Sequence, residues 1–317
     1  MNIQTLNLVI AFVATLLLGL LVVPKLKKLN IGQIVRDDGP KEHLKKNGTP
    51  TMGGVIIVIV LLIILGINAI KNHILILPMI AIAGFALVGF IDDYKKLVLK
   101  NTNGLSPLKK IIGLCIVTVI FIFLYLNVFN LGTDIVIPFI SQPFVLSVGV
   151  FIMFCVFILL ATSNAVNLTD GLDGLATGVV AIIMTFYTLI AIKSNDTQMI
   201  ILGASTVGTC LGFLVFNFHP AKVFMGDTGS LALGGAIASI AIITKMPLYL
   251  AIVAFVCIID TLSVILQVGF FKLTKGKRIF KMAPFHHHLE LSGFKETNVV
   301  LIFWVVTAIC CTLAYFI

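Results

Sequence analysis

Apolar residues in this chain fall into ten long runs separated by short polar segments. Most runs are close to the roughly 20 residues that an α-helix needs to cross a bilayer. The predicted spans are 6–24, 52–70, 74–92, 110–130, 143–162, 174–192, 199–216, 231–244, 248–271 and 298–317. The pattern therefore predicts an all-α integral membrane protein with ten transmembrane helices.

Two runs could form re-entrant segments in place of membrane-crossing helices. The run 231–244 is short, and the run 52–70 begins with glycines. The basic residues argue that both cross. With ten crossings, 19 of the 22 Lys and Arg residues fall on one side, and only Lys71, Lys193 and Lys245 fall on the other. Because Lys and Arg are retained in cytoplasmic loops, we expect both termini to be extracellular and the long loops to be cytoplasmic.

The amino-acid composition also indicates a membrane protein, and the net charge limits the classes of binding partner that we expect. Of the 317 residues, 59% are hydrophobic and 11% are charged, against about 25% charged in a soluble domain. The net charge of +9 suits anionic lipid or a phosphorylated substrate. Nucleic acid is not expected as a partner, because the basic residues lie between apolar runs. Without a linker or repeat, residues 1–317 are predicted to form a single polytopic membrane domain.

Neither a zinc site nor a disulfide framework is expected. All six cysteines lie inside apolar runs, and none has CxxC spacing.

Carboxylates are concentrated on the same side as the cations. Of the 13 acidic residues, only Asp134 and Asp196 fall on the outer side, and Asp260 lies midway along a span. An anchor needs only the cations, whereas a site for Mg²⁺ and phosphates needs oxygen ligands together with Lys or Arg. We therefore expect such a site on the cytoplasmic face.

The first acidic motif is the pair Asp92-Asp93, which follows an apolar run. Adjacent carboxylates repel each other unless a metal, a lysine or a proton intervenes. A solvated helix end explains the pair equally well.

The second motif places Asn164, Asn167, Asp170 and Asp173 at three-residue spacing, with glycines, between two spans. If helical, these residues would share one face. No basic residue in the segment balances the carboxylates, so we expect a metal, a donor-rich ligand or a lysine from another loop. A surface turn is the alternative.

The third motif, Phe224-Met-Gly-Asp-Thr-Gly-Ser230, opens a span. Free backbone N–H groups at a helix N-terminus bind anions, so this turn could hold a phosphate while Asp227 holds its metal. Alternatively, Asp227 or Ser230 only caps the helix.

Two further loops carry candidate ligand-binding groups. The first loop contains the segment GTPTMGG at 48–54, preceded by Lys41, His43, Lys45 and Lys46. The segment lacks the Gly-Lys-Ser/Thr order of a Walker motif. A basic loop at the membrane surface explains these residues as well as ligand binding does. His286, His287 and His288 cannot all ligate one ion from a regular helix, but they suit hydrogen bonding to phosphate or proton transfer.

Asp260 should face the bundle interior. Structural hydrogen bonding is favoured there, and a proton or ion relay is the alternative.

These motifs, in this order from about Lys41 to Glu290, resemble the polyprenyl-phosphate N-acetylhexosamine-1-phosphate transferase superfamily. GTPTMGG at 48–54 and PFHHHLE at 284–290 resemble its phospho-N-acetylmuramoyl-pentapeptide transferase branch (MraY, translocase I) in particular. The resemblance implies Mg²⁺-dependent transfer of phospho-MurNAc-pentapeptide from UDP-MurNAc-pentapeptide to undecaprenyl phosphate. The products would be lipid I, for peptidoglycan biosynthesis, and UMP. It also implies a homodimer in the bacterial cytoplasmic membrane.

The resemblance also implies residue roles. The candidate catalytic residues are Asp92, Asp93, Asp227, His286, His287 and His288. Asp227 is the implied Mg²⁺ ligand, with Asn167 as a second candidate. The implied substrate-binding residues are Lys46, Thr51, Lys110, Asn167, Asp170, Gly171, Leu172, Asp173, Asn217 and Phe224, the last suited to stack on uracil. Asp92 matches the proposed base for the lipid phosphate, but a phosphate monoester is already largely ionised at pH 7, so Asp92 could instead position it.

Two other functions remain open at this point. A sister enzyme would transfer GlcNAc-1-phosphate to a polyprenyl phosphate, and GTPTMGG and PFHHHLE argue against it. An ion- or proton-coupled transporter should place polar groups near the bilayer midplane, where only Asp260 is predicted.

Overall fold

The computed structural model describes residues 2–28, 46, 48–97, 99, 104–140 and 142–317. These residues form α-helices joined by short connections, with one small hairpin. The helices are α1 Ile3–Lys28, α2 Gly54–Ala69, α3 Ile76–Leu97, α4 Pro107–Phe123, α5 Val148–Thr169, α6 Leu175–Lys193, α7 Thr197–Asn217, α8 Gly226–Ile243, α9 Leu250–Val253, α10 Phe255–Leu273, α11 Phe285–Glu290 and α12 Glu296–Tyr315. Short 3₁₀ turns at His73–Leu75 and Pro247–Tyr249 precede α3 and α9, and a π turn at Leu124–Val128 extends α4.

Each of the ten predicted apolar runs coincides with a helix, or with α9 and α10 together, and the prediction of a helical integral membrane protein is confirmed. Within the described residues, nine helical segments are long and apolar enough to cross a membrane. They are Ile3–Lys28, His73–Leu97, Pro107–Val128, Val148–Thr169, Leu175–Lys193, Thr197–Asn217, Gly226–Ile243, Phe255–Leu273 and Glu296–Tyr315. The remaining run, Gly54–Ala69, is an apolar helix of 16 residues.

The centre of the bundle is α8, which packs against α3, α5 and α6, while α7 packs between α1 and α6. Small residues of α8 permit close packing: a Cβ on Gly234 would lie 2.4 Å from the Cα of Ser163. Peripheral helices instead expose apolar side chains, as Leu17, Leu20 and Leu21 of α1 do. Such an apolar exterior suits contact with lipid.

Several boundaries differ from the hydropathy pattern. Helix α5 continues to Thr169, beyond the predicted end at 162, and α8 begins at Gly226, before the predicted start at 231. Asn167 and Asp227 are therefore helical residues. Hydropathy does not detect these turns because their polar side chains face other protein groups and not lipid.

A hairpin that the sequence pattern did not predict connects α4 to α5. Strand β1, Asp134–Ile135, pairs antiparallel with β2, Phe144–Val145. Lys245, which follows α8, donates to the carbonyl of Leu131 and lies 2.9 Å from Asp134 Oδ1. This ion pair lies at the end of α8 opposite to Asp227. The loop residues Lys41, His43 and Lys45 lie outside the described residues.

Candidate active site

Helix α3 reaches the start of α8 because Gly89 has no side chain. A Cβ at this position would lie 2.2 Å from the carbonyl oxygen of Asp227, which is closer than any contact that atoms tolerate. The two backbones therefore touch one turn before Asp92 and Asp93. This approach brings the Asp-Asp pair to the Asp227 turn, as a shared site requires.

Asp93 caps helix α8 from outside that helix. Its Oδ1 accepts from the Asp227 N–H at 3.1 Å, and its Oδ2 accepts from the N–H and Oγ1 of Thr228 at 2.9 and 2.6 Å. The free N–H groups of a helix N-terminus are thereby satisfied. The Asp227 carboxylate instead accepts hydrogen bonds from Lys96, Lys110 and Asn167, so the alternative that Asp227 only caps the helix is wrong.

Asp92 and Asp227 share a lysine. Lys96 Nζ lies 2.5 Å from Asp92 Oδ2 and 3.2 Å from Asp227 Oδ2, and the other Asp92 oxygen accepts from the Leu105 N–H at 2.5 Å. Asp92 is only 2% exposed. The explanation of the Asp-Asp pair as a solvated helix end is therefore wrong.

Asp227 is also held by two residues from other helices. Its Oδ1 accepts from Asn167 Nδ2 at 2.8 Å, and its Oδ2 accepts from Lys110 Nζ at 3.0 Å. Lys110 also lies 3.3 Å from Asn167 Oδ1. Helices α3, α4, α5 and α8 thus each contribute to one cluster, which we call the Asp227 cluster: Asp92, Lys96, Lys110, Asn167 and Asp227.

The carboxylates of this region fit a divalent cation. Asp170 is partly buried beside the cluster, and no hydrogen bond to its carboxylate is found among the described residues. Burial, and then the charges of Asp227, Asp93 and Asp173, raise the pKa of Asp170 to about 8. A bound cation would relieve this repulsion, and Asp227 and Asn167 offer the oxygen donors that Mg²⁺ prefers.

A shared face for Asn164, Asn167, Asp170 and Asp173 was predicted only for a continuous helix, and the helix does not reach the last two residues. Asn164 Nδ2 donates to the Leu160 carbonyl within its own helix at 2.8 Å, and only Asn167 contacts Asp227. Helix α5 ends at Thr169, and the turn that follows directs Asp173 elsewhere. Three-residue spacing keeps a common face only while the helix continues.

Asp173 belongs to a second cluster, with Lys46, His219 and Glu296. Lys46 Nζ lies 2.7 Å from Asp173 Oδ1 and 2.5 Å from Glu296 Oε1, while His219 Nδ1 lies 3.0 Å from Asp173 Oδ2. Asp173, His219 and Glu296 are close enough together to hold a metal ion. Lys46 already supplies a cation to both carboxylates, so this group is better described as an ion-pair network.

The segment GTPTMGG is joined to the Phe224 turn through the backbone. Gly53 N–H donates to the Phe224 carbonyl at 2.9 Å, and Phe224 N–H donates to the Pro50 carbonyl at 2.8 Å. Asn217 is 2% exposed and holds the same turn, since its Nδ2 donates to the Val223 carbonyl at 3.1 Å. Thr51 and Leu172 are buried, whereas Gly171 is exposed and Phe224 is half-buried.

The three histidines of α11 point to different partners. His286 is fully buried and contacts Asp260; His287 Nδ1 lies 2.8 Å from Glu290 Oε2; and His288 Nδ1 accepts from the Lys281 N–H at 3.2 Å. The three side chains therefore lie against different groups, on α10, within α11 and in the segment before α11.

Sequence reasoning missed three members of the two clusters: Lys96, His219 and Glu296. A signal for Lys96 exists, because it lies four residues after Asp92 on the same helix face. Glu296 is 250 residues from Lys46, and nothing in the sequence pairs them.

The chain is similar to known proteins over nearly its whole length. The family model described as glycosyl transferase family 4 matches residues 74–245, and phospho-N-acetylmuramoyl-pentapeptide-transferase signature 1 matches residues 46–58. A phospho-N-acetylmuramoyl-pentapeptide-transferase of Acetivibrio thermocellus is 50% identical over 97% of this chain and 93% of its own length. Proteins with the same description from Clostridioides difficile and Bacillus subtilis are 46% and 47% identical, over 96% and 94% of this chain and 94% and 92% of their own lengths.

Proposed function

The chain belongs to the phospho-N-acetylmuramoyl-pentapeptide-transferase family, and we propose that the Asp227 cluster is where it carries out the reaction of that family. The enzyme transfers phospho-MurNAc-pentapeptide from UDP-MurNAc-pentapeptide to undecaprenyl phosphate, giving lipid I and UMP in peptidoglycan biosynthesis. The observation that carries the assignment of the site is Asp227, whose carboxylate lies between Lys96, Lys110 and Asn167 at one end of a membrane bundle.

Mg²⁺ is the proposed cofactor, with Asp227 and Asn167 as its protein ligands. A bound Mg²⁺ would supply positive charge next to the pyrophosphate oxygens and the departing UMP. Lys96 and Lys110 lie within 3.2 Å of the same carboxylate, so they are placed to bind phosphate oxygens beside it.

In the transfer step, an oxygen of the lipid phosphate attacks the sugar-bearing phosphorus of the pyrophosphate. The bond from that phosphorus to the bridging oxygen breaks, and UMP leaves with the electron pair. The attacking phosphate is already largely ionised at pH 7. We therefore assign Asp92 the role of orienting Lys96 toward the lipid phosphate, and not that of an obligatory base.

Asp93 acts by fixing the start of α8, and therefore the position of Asp227. Its three hydrogen bonds from Asp227 and Thr228 occupy both carboxylate oxygens. This residue is a positioning residue in the proposed mechanism.

The nucleotide-sugar binds, in this proposal, between the Asp170–Gly174 turn and the Phe224 turn. Gly171, Leu172 and Asp173 border the uridine, and the half-buried ring of Phe224 stacks on uracil. Asn217 and Thr51 shape this pocket from buried positions, and Lys46 orients Asp173. Asp170, His287 and His288 contact the phosphates or the sugar.

We further propose that the chain crosses the bacterial cytoplasmic membrane ten times, with both termini extracellular and the active site on the cytoplasmic face. The family resemblance also implies a homodimer. The placement of Lys245 and Asp134 at the end of α8 opposite to Asp227 supports two distinct faces. Helix α2 has 16 residues and is roughly 24 Å long, which a locally thinner bilayer accommodates.

The test is release of UMP from purified protein supplied with Mg²⁺, undecaprenyl phosphate and UDP-MurNAc-pentapeptide. We expect Asp227→Ala to abolish release, because it removes the proposed metal ligand and the partner of two lysines. Asp134→Ala, which removes the carboxylate paired with Lys245, is the matched control and should retain activity. Transfer from UDP-GlcNAc, without transfer from the muramoyl substrate, would contradict the assignment.

A further inference from the structure

Asp260 lies on α10 and is fully buried, yet it belongs to neither cluster described above. Its Oδ1 accepts a hydrogen bond from the backbone N–H of His286 at 3.2 Å, and its Oδ2 lies 2.9 Å from His286 Nδ1. One carboxylate therefore holds both the backbone and the ring of the same histidine. His286 is therefore the partner of the carboxylate that lies within the α10 span.

The opposite end of the imidazole faces the Asp170–Gly174 turn. His286 Nε2 is buried, and no hydrogen-bond partner for it is found among the described residues. A Cβ on Gly171 would lie 2.3 Å from Nε2. The ring thus extends from the Asp260 carboxylate to the backbone of the turn on which the nucleotide-sugar is proposed to bind.

Two other rings lie against the His286 imidazole, and the nearer is that of His287, at 4.3 Å between centroids. His286 is fully buried, and the ring of Phe303 lies edge-on to it at 6.5 Å between centroids. Buried polar atoms without partners are rare in native proteins, and each one calls for an explanation such as a ligand. Nε2 of His286, which has no partner in the part of the chain that the structure describes, faces a turn with an exposed glycine.

We propose that Asp260 is a positioning residue for the transfer reaction and acts through His286. The carboxylate keeps the proton on Nδ1 and fixes the ring plane, so that Nε2 is an acceptor for a hydrogen-bond donor of the bound nucleotide-sugar. An ionised carboxylate can only accept hydrogen bonds, which sets the tautomer of a neutral imidazole. Gly171 is required because any side chain there would displace Nε2. This inference rests on the proposed function.

The first test is a double-mutant cycle on UMP release with Asp260→Asn, His286→Gln and the combined variant. We expect Asp260→Asn to lower kcat by about tenfold or more while KM for undecaprenyl phosphate changes little. The combined variant should be no slower than His286→Gln alone, because Asp260 acts only through that ring. Additive losses, or normal kcat in Asp260→Asn, would overturn the proposal.

Asp134→Asn is the matched control, since it neutralises a paired carboxylate at the opposite end of the bundle. It should retain the kcat of the unmodified enzyme. If the unmodified enzyme itself releases no UMP, the proposed function fails, and the role of Asp260 is decided by a measurement that needs no turnover.

That second measurement is the ¹⁵N spectrum of histidine-labelled protein, with His286 assigned by difference from His286→Gln. The unmodified protein at pH 8 should show a proton on Nδ1 and none on Nε2. In Asp260→Asn this preference should be lost. A proton found on Nε2 alone in the unmodified protein would overturn the proposal, whether or not Asp260→Asn folds.

Discussion

Two adjacent carboxylates, Asp92 and Asp93, have different partners because successive residues of α3 point in different directions. Asp93 receives three hydrogen bonds from the start of α8, whereas Asp92 contacts Lys96 and the Leu105 N–H. Two identical neighbouring residues therefore have different roles: Asp93 caps α8, and Asp92 contacts a lysine of the proposed phosphate site.

The role of Asp92 is tested by the pH dependence of Asp92→Asn. We expect a loss of about tenfold or more in kcat at every pH between 6 and 9, because Lys96 loses a partner at all of them. A base role instead predicts that the variant loses a pH-dependent limb of the rate profile. The rate of UMP release across this range distinguishes the two, and near-normal turnover at pH 7 would refute both.

Asp170 makes the metal-free protein sensitive to pH. The pKa of its carboxyl is raised to about 8, against about 3.9 in an unfolded chain, so between these values the folded protein holds a proton that the unfolded chain lacks. Its contribution to stability is therefore lost as pH rises toward 8. We expect Asp170→Asn to raise the Tm of EDTA-treated protein at pH 8 and not at pH 4.

Mg²⁺ should cancel part of this effect, since a cation stabilises the ionised carboxylates. The Tm of the unmodified protein at pH 8 should accordingly rise when Mg²⁺ is added, and more than it does at pH 6. Equal rises at both pH values would contradict the account of the carboxylates around Asp170.

At the level of elements, the site depends on helices that continue past their apolar runs. The last turn of α5 carries Asn167, and the first turn of α8 carries Asp227. These turns meet Lys96 and Lys110 from α3 and α4, so four helices must have the correct axial positions. The close packing of α3 on α8 at Gly89 fixes the axial position of these two helices relative to each other.

Gly89→Ala tests this packing. The added Cβ would lie 2.2 Å from the Asp227 carbonyl oxygen, so α3 and α8 must separate, at a cost of about 1–3 kcal/mol typical of overpacked cores. We expect a lower Tm in detergent and a large loss of UMP release. Gly269→Ala, on exposed α10 with open space around its Cβ, should lower neither.

At the level of the whole molecule, the chain places its ion clusters at one end of an apolar bundle. The Asp227 cluster, and the second cluster of Lys46, Asp173, His219 and Glu296, lie at helix ends and adjoining segments that the charge pattern assigned to one side. Lys245 and Asp134 instead pair at the other end of α8. This separation matches an enzyme that takes one substrate from water and the other from the membrane, and it does not match a transport site at the midplane.

Topology is tested with cysteines at exposed positions, Ser194→Cys after α6 and Lys277→Cys after α10. With ten crossings and extracellular termini, a membrane-impermeant thiol reagent should label Ser194→Cys in intact cells. Lys277→Cys should react only after the membrane is opened. The reverse pattern would invert the orientation, and labelling of both in intact cells would exclude the proposed crossing count.

The sequence by itself determined the helical membrane fold and the family, because hydropathy and short motifs are local properties, and its charge pattern predicts how the loops group by side. It also identified Asp227, Asn167 and Lys110, which the structure brings into contact. Only the tertiary structure decided that Asp93 caps α8, that Asp173 leaves the Asp227 cluster for Lys46 and Glu296, and that Asp260 holds His286. These outcomes depend on which helices touch and at what axial position, and contacts between residues far apart in the chain leave no periodic signal in it.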